Sequence, residues 1–275
     1  MPSLPFQPVA RETFHVEACG ARLRAQWIRP PGAAPSPALV FLHEALGSIP
    51  QWRDFPSALC AAACLPGLVY ERRGFGGSDP LAGPHRPLDY LHHEARDVLP
   101  EVLSACGVTR PVLVGHSDGG TIALLFAAAF PDGAAALVTE AAHVLVEDVT
   151  IDGIRRAEEA WRTTDLKSRL SRHHGEKTDE LFQSWAGTWT RGDFRDWSIV
   201  EELAAVSCPA LVIQGLDDEY GSPAQVDAIV RAVSGPAHPF LIPGCGHVPH
   251  RQAAEAVLQA VLLFLGAHGL VSIAR

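Results

Sequence analysis

One segment of the chain combines a serine with a spacing that favours nucleophilic chemistry. Residues 115–119 read Gly-His-Ser-Asp-Gly, which fits Gly-x-Ser-x-Gly, and they lie between an apolar run, 111–114, and a run of good helix formers, 120–127. This pattern predicts a strand, a tight turn and a helix, with Ser117 at the apex of the turn. Small flanking residues let the strand and the helix approach closely, and the turn lifts the hydroxyl to where a base can reach it. We therefore predict that Ser117 is a nucleophile.

A serine hydroxyl needs a base to take its proton, and the base needs a third group to orient it. Two later segments supply candidates. The apolar run 210–213 is followed by Asp217 and Asp218, and the apolar run 240–242 is followed by His247 in a glycine-rich loop. The carboxyl ends of parallel strands meet at one edge of a sheet, where such sheets place their ligand sites. The sequence predicts His247 as the base, oriented by one of the two aspartates.

The order serine, acid, histidine resembles that of the α/β-hydrolase family, and the resemblance covers nearly the whole chain. Residues 215–218 are similar to the family's Gly-x-x-Asp, which implies that Asp218 rather than Asp217 completes a Ser-His-Asp triad. Residues 42–48 lie where the family has its oxyanion loop, and residues 73–78 look like its turn after the fourth strand. The resemblance implies an α/β-hydrolase fold, with a mostly parallel central sheet flanked by helices, and hydrolysis through an acyl-enzyme without a cofactor.

The resemblance also implies an oxyanion hole made of two backbone N–H groups, those of Ala45 and Asp118. They would hydrogen-bond the negative charge of the tetrahedral intermediate. The side chain of Asp118 is expected to interact favourably with the dipole of the helix that it begins. Dehalogenases and epoxide hydrolases are excluded, because those relatives carry aspartate at the apex, where this chain has Ser117.

The oxyanion loop departs from the family at one residue. Most members have His-Gly there, whereas this chain has His43-Glu44. A carboxylate beside an oxyanion hole opposes the charge of the intermediate. Glu44 therefore either pairs with a neighbour such as Arg73 or works in the pocket, and both alternatives stay open. Residues 43–47 are similar to the loop of dienelactone hydrolases, a branch with a cysteine nucleophile, which favours lactones slightly.

A change of composition predicts an inserted helical cap. Charge is dense and tryptophan recurs between about 146 and 203, where no good strand pattern occurs. We predict a cap of residues 146–203 within a core domain of residues 1–145 and 204–275. Large aromatics commonly hold small helical lids together, and they can also form a pocket roof. Both roles stay open for the tryptophans. The candidate pocket residues are Glu44, His43, His143, Trp161, Trp185 and Trp189.

Alternating apolar runs predict the remaining elements. A helix over 88–106 should be kinked or split by Pro100. The predicted strands are 13–18 and 22–28, which form an antiparallel hairpin, then 38–42, 68–70, 112–114, 135–139, 210–213 and 240–242. The other predicted helices are 52–63, 154–161, 166–173, 180–189 and 253–265.

The charge and composition of the chain argue against some classes of binding partner. The net charge of −9 and the pI near 5.8 argue against nucleic acid and anionic membranes. No apolar stretch reaches the roughly 20 residues of a membrane span. The first residues lack a signal-peptide pattern, so a cytoplasmic location is expected. Six scattered cysteines predict free thiols, and the adjacent histidine pairs share no helix face, so no metal is expected. The expected partner is a small-molecule substrate, and a homodimer stays open.

Together these features predict a serine hydrolase that cleaves a carboxylic ester or lactone of a small molecule. Hydrolysis of a carbon–carbon bond or a thioester by the same triad is the nearest alternative. A second alternative is a non-catalytic small-molecule receptor, since relatives of this fold include receptors and a fold alone does not settle function.

Overall fold

The computed structural model describes residues 9–33, 36–83 and 86–271. Within these ranges, strands β1 to β8 form one sheet in the order β1-β2-β4-β3-β5-β6-β7-β8. The hairpin β1–β2 is antiparallel and pairs antiparallel with β4, and every other neighbouring pair is parallel. The sheet is therefore mostly parallel, as predicted. The strands are Ala10–Ala18, Ala21–Arg29, Leu39–Leu42, Gly67–Tyr70, Val112–His116, Ala136–Glu140, Ala210–Gly215 and Ala237–Ile242.

Helices cover both faces of the sheet, which is why the central strands are apolar without alternation. In β3 all four residues are buried. Leu39 and Phe41 pack with helices Phe55–Ala63 and Ala254–Ala267 on one face, while Val40 and Leu42 pack with helices Leu99–Ala105 and Asp118–Ala129 on the other, since successive strand side chains point to opposite faces. The helices α1 to α10 in the described residues are Phe55–Ala63, Tyr90–His93, Leu99–Ala105, Asp118–Ala129, Asp148–Thr163, Leu166–His174, Thr178–Trp189, Pro223–Ala232, Pro249–Gln252 and Ala254–Ala267.

The predicted helix over 88–106 is interrupted in the way that its proline suggests. A π-helical turn, Glu94–Val98, separates α2 from α3. Pro100 lies in the first turn of α3 and has no N–H to continue the regular hydrogen-bond ladder. The predicted helix 52–63 begins later, at Phe55, because Ile49–Trp52 form a separate 3₁₀ helix. Helix α8 was not predicted; it begins after Ser222, whose hydroxyl accepts a hydrogen bond from the Ala224 N–H.

Helices α5, α6 and α7 lie in residues 146–203, which are called the cap segment. That this segment forms a unit separate from the core stays a prediction. Aromatic contacts join these helices. Trp161 of α5 stacks on Phe182 of α7, with ring centroids 4.0 Å apart, and Trp189 of α7 meets Trp197 edge to face. Trp185 and Trp189 reach from α7 to a cavity at the carboxyl ends of the parallel strands. Among the described helices, none has both the length and the apolar composition that a membrane span requires.

Candidate active site

Ser117 lies in a strained turn, here called the elbow, that joins β5 to α4. Its φ of 53° and ψ of −117° belong to a region that residues other than glycine rarely adopt. The turn also brings backbone segments unusually close together. A methyl group at Gly119 would lie 1.9 Å from the carbonyl oxygen of Leu42, and one at Gly115 would lie 2.2 Å from that of Gly119. Both flanking glycines are therefore required by the close approach of strand and helix.

The loops after β7 and β8 bring a carboxylate and an imidazole to Ser117. The distance from His247 Nε2 to Ser117 Oγ is 3.1 Å, and His247 Nδ1 lies 2.9 and 3.0 Å from the two carboxylate oxygens of Asp218. With the proton on Nδ1, His247 donates to Asp218, and its Nε2 is free to accept the serine proton. This is a nucleophile, a base and a group that orients the base. Asp217 is exposed, and its N–H donates to the carbonyl of Cys245.

Electrostatics favours the charged form of the imidazole. Burial alone would lower the pKa of His247, but the Asp218 carboxylate outweighs burial, aided by Glu219 and Glu44, so the pKa lies above its ordinary value. Burial alone would raise the pKa of Asp218, and the nearby His247 lowers it on balance. Asp218 also accepts a hydrogen bond from the Tyr220 N–H at 2.8 Å. The carboxylate is thus held ionised where it can stabilise an imidazolium.

A second layer of hydrogen bonds holds the elbow against the histidine loop. His116 Nε2–H donates to the carbonyl of His247 at 2.6 Å. Glu140, at the end of β6, accepts from the N–H and the Nδ1–H of His250 at 2.8 and 3.0 Å, and its own carbonyl accepts from the Ser117 N–H at 2.8 Å. The sequence had not singled out these residues. The available signals were that His116 lies inside the elbow motif and that Glu140 ends a buried strand.

The two predicted oxyanion donors, the N–H groups of Ala45 and Asp118, belong to residues that line the same cavity as Ser117. Neither N–H donates to any acceptor in the described part of the chain. The side chain of Asp118 does more than begin a helix. It forms an ion pair with Arg72 at 3.3 Å, and each of the two side chains is only 2% exposed.

Glu44 lies in the wall of this cavity, and of the two alternatives left open the ion pair with Arg73 is not formed. Arg73 instead donates through Nε to the carbonyl of Pro80 at 2.8 Å. Glu44 Oε2 accepts a hydrogen bond from the Leu46 N–H at 2.6 Å. Burial raises the pKa of Glu44. Within the described ranges, no arginine or lysine forms an ion pair with this carboxylate.

The cavity has a volume of about 390 Å³, and its lining is mainly apolar. Of the predicted pocket residues, His143, Trp185 and Trp189 line it together with Glu44. His143 Nε2–H donates to the carbonyl of Tyr220 at 3.0 Å, so this histidine is both hydrogen-bonded and in the cavity wall. Of the lining residues that were not predicted individually, five come from the cap segment: Thr150, Ile154, Leu166, Arg169 and Leu170.

Two predicted pocket residues, His43 and Trp161, do not line this cavity. His43 lies behind the oxyanion loop, where its Nδ1–H donates to the Glu44 carbonyl at 2.7 Å and its Nε2 accepts from the Arg72 N–H at 3.1 Å. Burial, followed by the charge of Arg72, holds the pKa of His43 well below its usual range. Trp161 belongs to the same helix face as Ile154, but seven residues carry it about 10 Å further along the axis, onto Phe182.

No group of three or more histidine, cysteine, aspartate or glutamate side chains in the described ranges is arranged to hold a metal ion. The polar groups that converge on Ser117 are donors, acceptors and bases. They match the arrangement that acyl transfer needs: a nucleophile, a base with its orienting acid, and free N–H donors close by.

The chain is similar to known hydrolases. The chain is 27% identical to human serine hydrolase BPHL over 195 residues, which are 68% of this chain and 65% of that protein. It is 27% identical over 259 residues to a 2-hydroxy-6-oxononadienedioate/2-hydroxy-6-oxononatrienedioate hydrolase of Paraburkholderia phymatum, covering 83% of this chain and 86% of the relative. The chain thus spans slightly less than two thirds of the human protein's length.

Solved structures show the same fold. The enol-lactonase of Burkholderia xenovorans LB400 superposes with a TM-score of 0.72 at 19% identity, covering 91% of this chain and 99% of that one. A serine hydrolase of carbazole degradation superposes with a TM-score of 0.73 at 21% identity, covering 94% and 100%. The family model described as the alpha/beta hydrolase family matches residues 39–260. The chain belongs to the alpha/beta hydrolase family.

Proposed function

We propose that this hydrolase cleaves a carboxylic ester or lactone of a small molecule through an acyl-enzyme. The observation that carries the proposal is the continuous relay from Ser117 Oγ through His247 to Asp218, which opens into a cavity with two free backbone donors. A relay of this kind makes a serine hydroxyl nucleophilic at neutral pH. Membership of the family supports hydrolysis, and the ester or lactone bond is our proposal.

In the proposed reaction, Ser117 forms an acyl-enzyme that water then hydrolyses. Ser117 Oγ bonds to the carbonyl carbon while its proton passes to His247 Nε2, and the carbonyl oxygen becomes an oxyanion between the N–H groups of Ala45 and Asp118. The intermediate collapses as the bond to the leaving oxygen breaks and His247 gives that oxygen its proton. Water then attacks the acyl group, losing a proton to His247, and Ser117 regains a proton when the acid leaves.

The cavity favours a compact substrate. Its volume of about 390 Å³ lies at the small end of the range for ligand pockets. The tryptophans of the roof offer apolar contact rather than charge. Most family members lack a carboxylate at the position of Glu44. Residues 43–47 are similar to the loop of dienelactone hydrolases, and this similarity supports a lactone as the substrate. The structural likeness to an enol-lactonase is consistent with this choice and shows the fold only.

Hydrolysis of a carbon–carbon bond is the second candidate. It is supported by the relative from Paraburkholderia phymatum, a 2-hydroxy-6-oxononadienedioate/2-hydroxy-6-oxononatrienedioate hydrolase, which aligns over 83% of this chain. The same triad and oxyanion donors would serve such a substrate. A vinylogous diketone therefore belongs in the same assay as the esters.

A substrate panel tests the proposal. Purified protein is assayed with short p-nitrophenyl esters, lactones, thioesters and a vinylogous diketone, and is labelled with a fluorophosphonate probe. We expect turnover of esters or lactones and stoichiometric labelling, both abolished in Ser117→Ala. Ser184→Ala is the matched control, because this buried hydroxyl has no hydrogen-bond partner among the described residues and does not line the cavity.

The outcomes separate the alternatives. Diketone turnover that exceeds ester and lactone turnover favours the carbon–carbon hydrolase. Labelling without turnover of any panel member, or no labelling at all, favours a receptor and contradicts the proposal. Turnover that survives in Ser117→Ala contradicts the assigned nucleophile.

A further inference from the structure

Arg72 contacts both backbone segments that carry the proposed oxyanion donors. It is the second residue after β4, and its side chain is 2% exposed. Nη1 lies 3.3 Å from Asp118 Oδ2. Nη2 donates to the carbonyls of Glu44 at 3.0 Å and His43 at 3.3 Å. One guanidinium group thus joins the loop after β3 to the start of α4, using the planar array of donors that distinguishes arginine from lysine.

The contact with the Glu44 carbonyl fixes the direction of a particular N–H. This oxygen accepts three hydrogen bonds, from Arg72 Nη2, from the Gly47 N–H at 3.0 Å and from His43 Nδ1 at 2.7 Å. The peptide bond between Glu44 and Ala45 is trans, so its C=O and N–H point in opposite directions. Holding the carbonyl toward Arg72 therefore aims the Ala45 N–H away from Arg72. Hydrogen bonds to a carbonyl also polarise the N–H of the same peptide, which strengthens it as a donor.

The contact with Asp118 fixes the second donor residue. Asp118 Oδ2 also accepts from Tyr90 Oη–H at 3.0 Å, and Tyr90 Oη in turn accepts from Trp189 Nε1–H at 3.0 Å. All of these groups are buried. Trp189 lines the cavity, so the hydrogen-bonded chain runs from the roof of the site to the elbow. An aspartate next to the nucleophile is thereby neutralised and held, instead of repelling the negative charge of the intermediate.

We propose that Arg72, together with Asp118, is the positioning element of the oxyanion hole: it holds the N–H groups of Ala45 and Asp118 in a common geometry around Ser117. This inference rests on the proposed function. Arg72 acts through the backbone donors and does not touch the substrate. Its contribution is preorganisation, which lowers the transition-state barrier without changing how tightly the ground-state substrate binds.

The test uses Arg72→Lys and Asp118→Asn, with Arg73→Lys as the matched control. Arg72→Lys keeps a positive charge near Asp118 but loses the forked contacts, and Asp118→Asn keeps the backbone N–H while removing the side-chain charge. Arg73 is the neighbouring arginine and donates to Pro80 outside the site. Enzyme concentrations are normalised by fluorophosphonate titration, so that a smaller folded fraction does not imitate a slower enzyme.

We expect kcat to fall about 10- to 100-fold in both test variants, with little change in KM and none in Arg73→Lys. The inhibition constant of a trifluoromethyl ketone, whose adduct with Ser117 bears an oxyanion, should rise in parallel with the loss of kcat/KM. Affinity for the carboxylate product should stay nearly constant. If the ion pair had a purely structural role, the substitutions would lower thermal stability without a parallel rise of the ketone's inhibition constant.

The inference is overturned if both variants, titrated as active, keep the wild-type kcat and ketone affinity. If either variant does not fold, Tyr90→Phe removes one hydrogen bond to Asp118 at almost constant volume, and a smaller fall of kcat with the same ketone correlation is expected; an unchanged ketone affinity there overturns it. Failure of the proposed function is distinguishable, since the wild type itself would then neither turn over esters or lactones nor titrate.

Discussion

The two sides of Ser117 handle charge differently. On the histidine side two imidazoles are each paired with a carboxylate: His247 with Asp218, and behind them His250 with Glu140. On the oxyanion side one carboxylate, Asp118, is paired with Arg72, while the other, Glu44, lines the cavity and accepts a hydrogen bond from a backbone N–H. The paired charges hold the geometry of the site, and Glu44 lies beside the space that a substrate fills. The comparison suggests that Glu44 affects substrate choice, whereas the matched pairs affect rate.

The largest effect is expected on the histidine side, from Asp218→Asn. Losing the carboxylate that orients His247 should lower kcat by about 10⁴-fold, because the imidazole is then held in the wrong tautomer. The measurement is kcat on the best substrate of the panel. Asp217→Asn is the control, since Asp217 is exposed and makes no side-chain contact with His247, and its rate should match the wild type. Equal losses in the two variants would contradict the assignment of the acid.

The pH profile tests the same side by another route. Neutral His247 is the active form, so kcat/KM should rise with pH through an apparent pKa above the ordinary value of 6.5. Glu219 helps to raise that pKa, so Glu219→Gln should move the acid limb to lower pH, while Asp217→Asn should leave it in place. An acid limb below pH 6.5 in the wild type, or equal displacement in both variants, would show that the charges around His247 have been assigned wrongly.

The smallest effect is expected on the oxyanion side, from Glu44→Gln. This substitution removes a charge that faces the cavity but keeps the hydrogen-bonding shape of the side chain. We expect the ratio of lactone to simple-ester turnover to change about threefold or more, which corresponds to a modest electrostatic difference between two transition states. The measurement is kcat/KM for one lactone and one acyclic ester of the same acyl chain. Equal changes on both substrates would show that Glu44 does not affect substrate choice.

The histidine side was also the more predictable of the two. Ser117, Asp218 and His247 each follow a short apolar strand, so their types and their order along the chain were sufficient to group them. The choice of Asp218 over Asp217 came from the resemblance to the family's Gly-x-x-Asp, and in the structure Asp217 is exposed after β7. Parallel strands bring such residues to one edge irrespective of the sequence between them.

The oxyanion side depends on which way side chains turn after a strand, and a sequence does not show this. Arg72 and Arg73 are adjacent and chemically alike, yet Arg72 enters the core while Arg73 lies near the surface. His43 was expected in the pocket, but it turns back to hydrogen-bond its own loop. Pairs such as Arg72 with Asp118 join residues far apart in sequence, and only the folded chain, which brings the segment after β4 to the start of α4, reveals them.

The most direct test of the central claim is to trap the acyl-enzyme. The protein is mixed with an activated ester or lactone at a pH below the acid limb, where deacylation is slow, then quenched and analysed by intact mass and peptide mapping. If Ser117 is the nucleophile, we expect a mass increase equal to one acyl group on the peptide that contains Ser117. This increase should be absent in Ser117→Ala. An adduct on another residue, such as the buried Cys245, or turnover with no trapped adduct at any time, would contradict it.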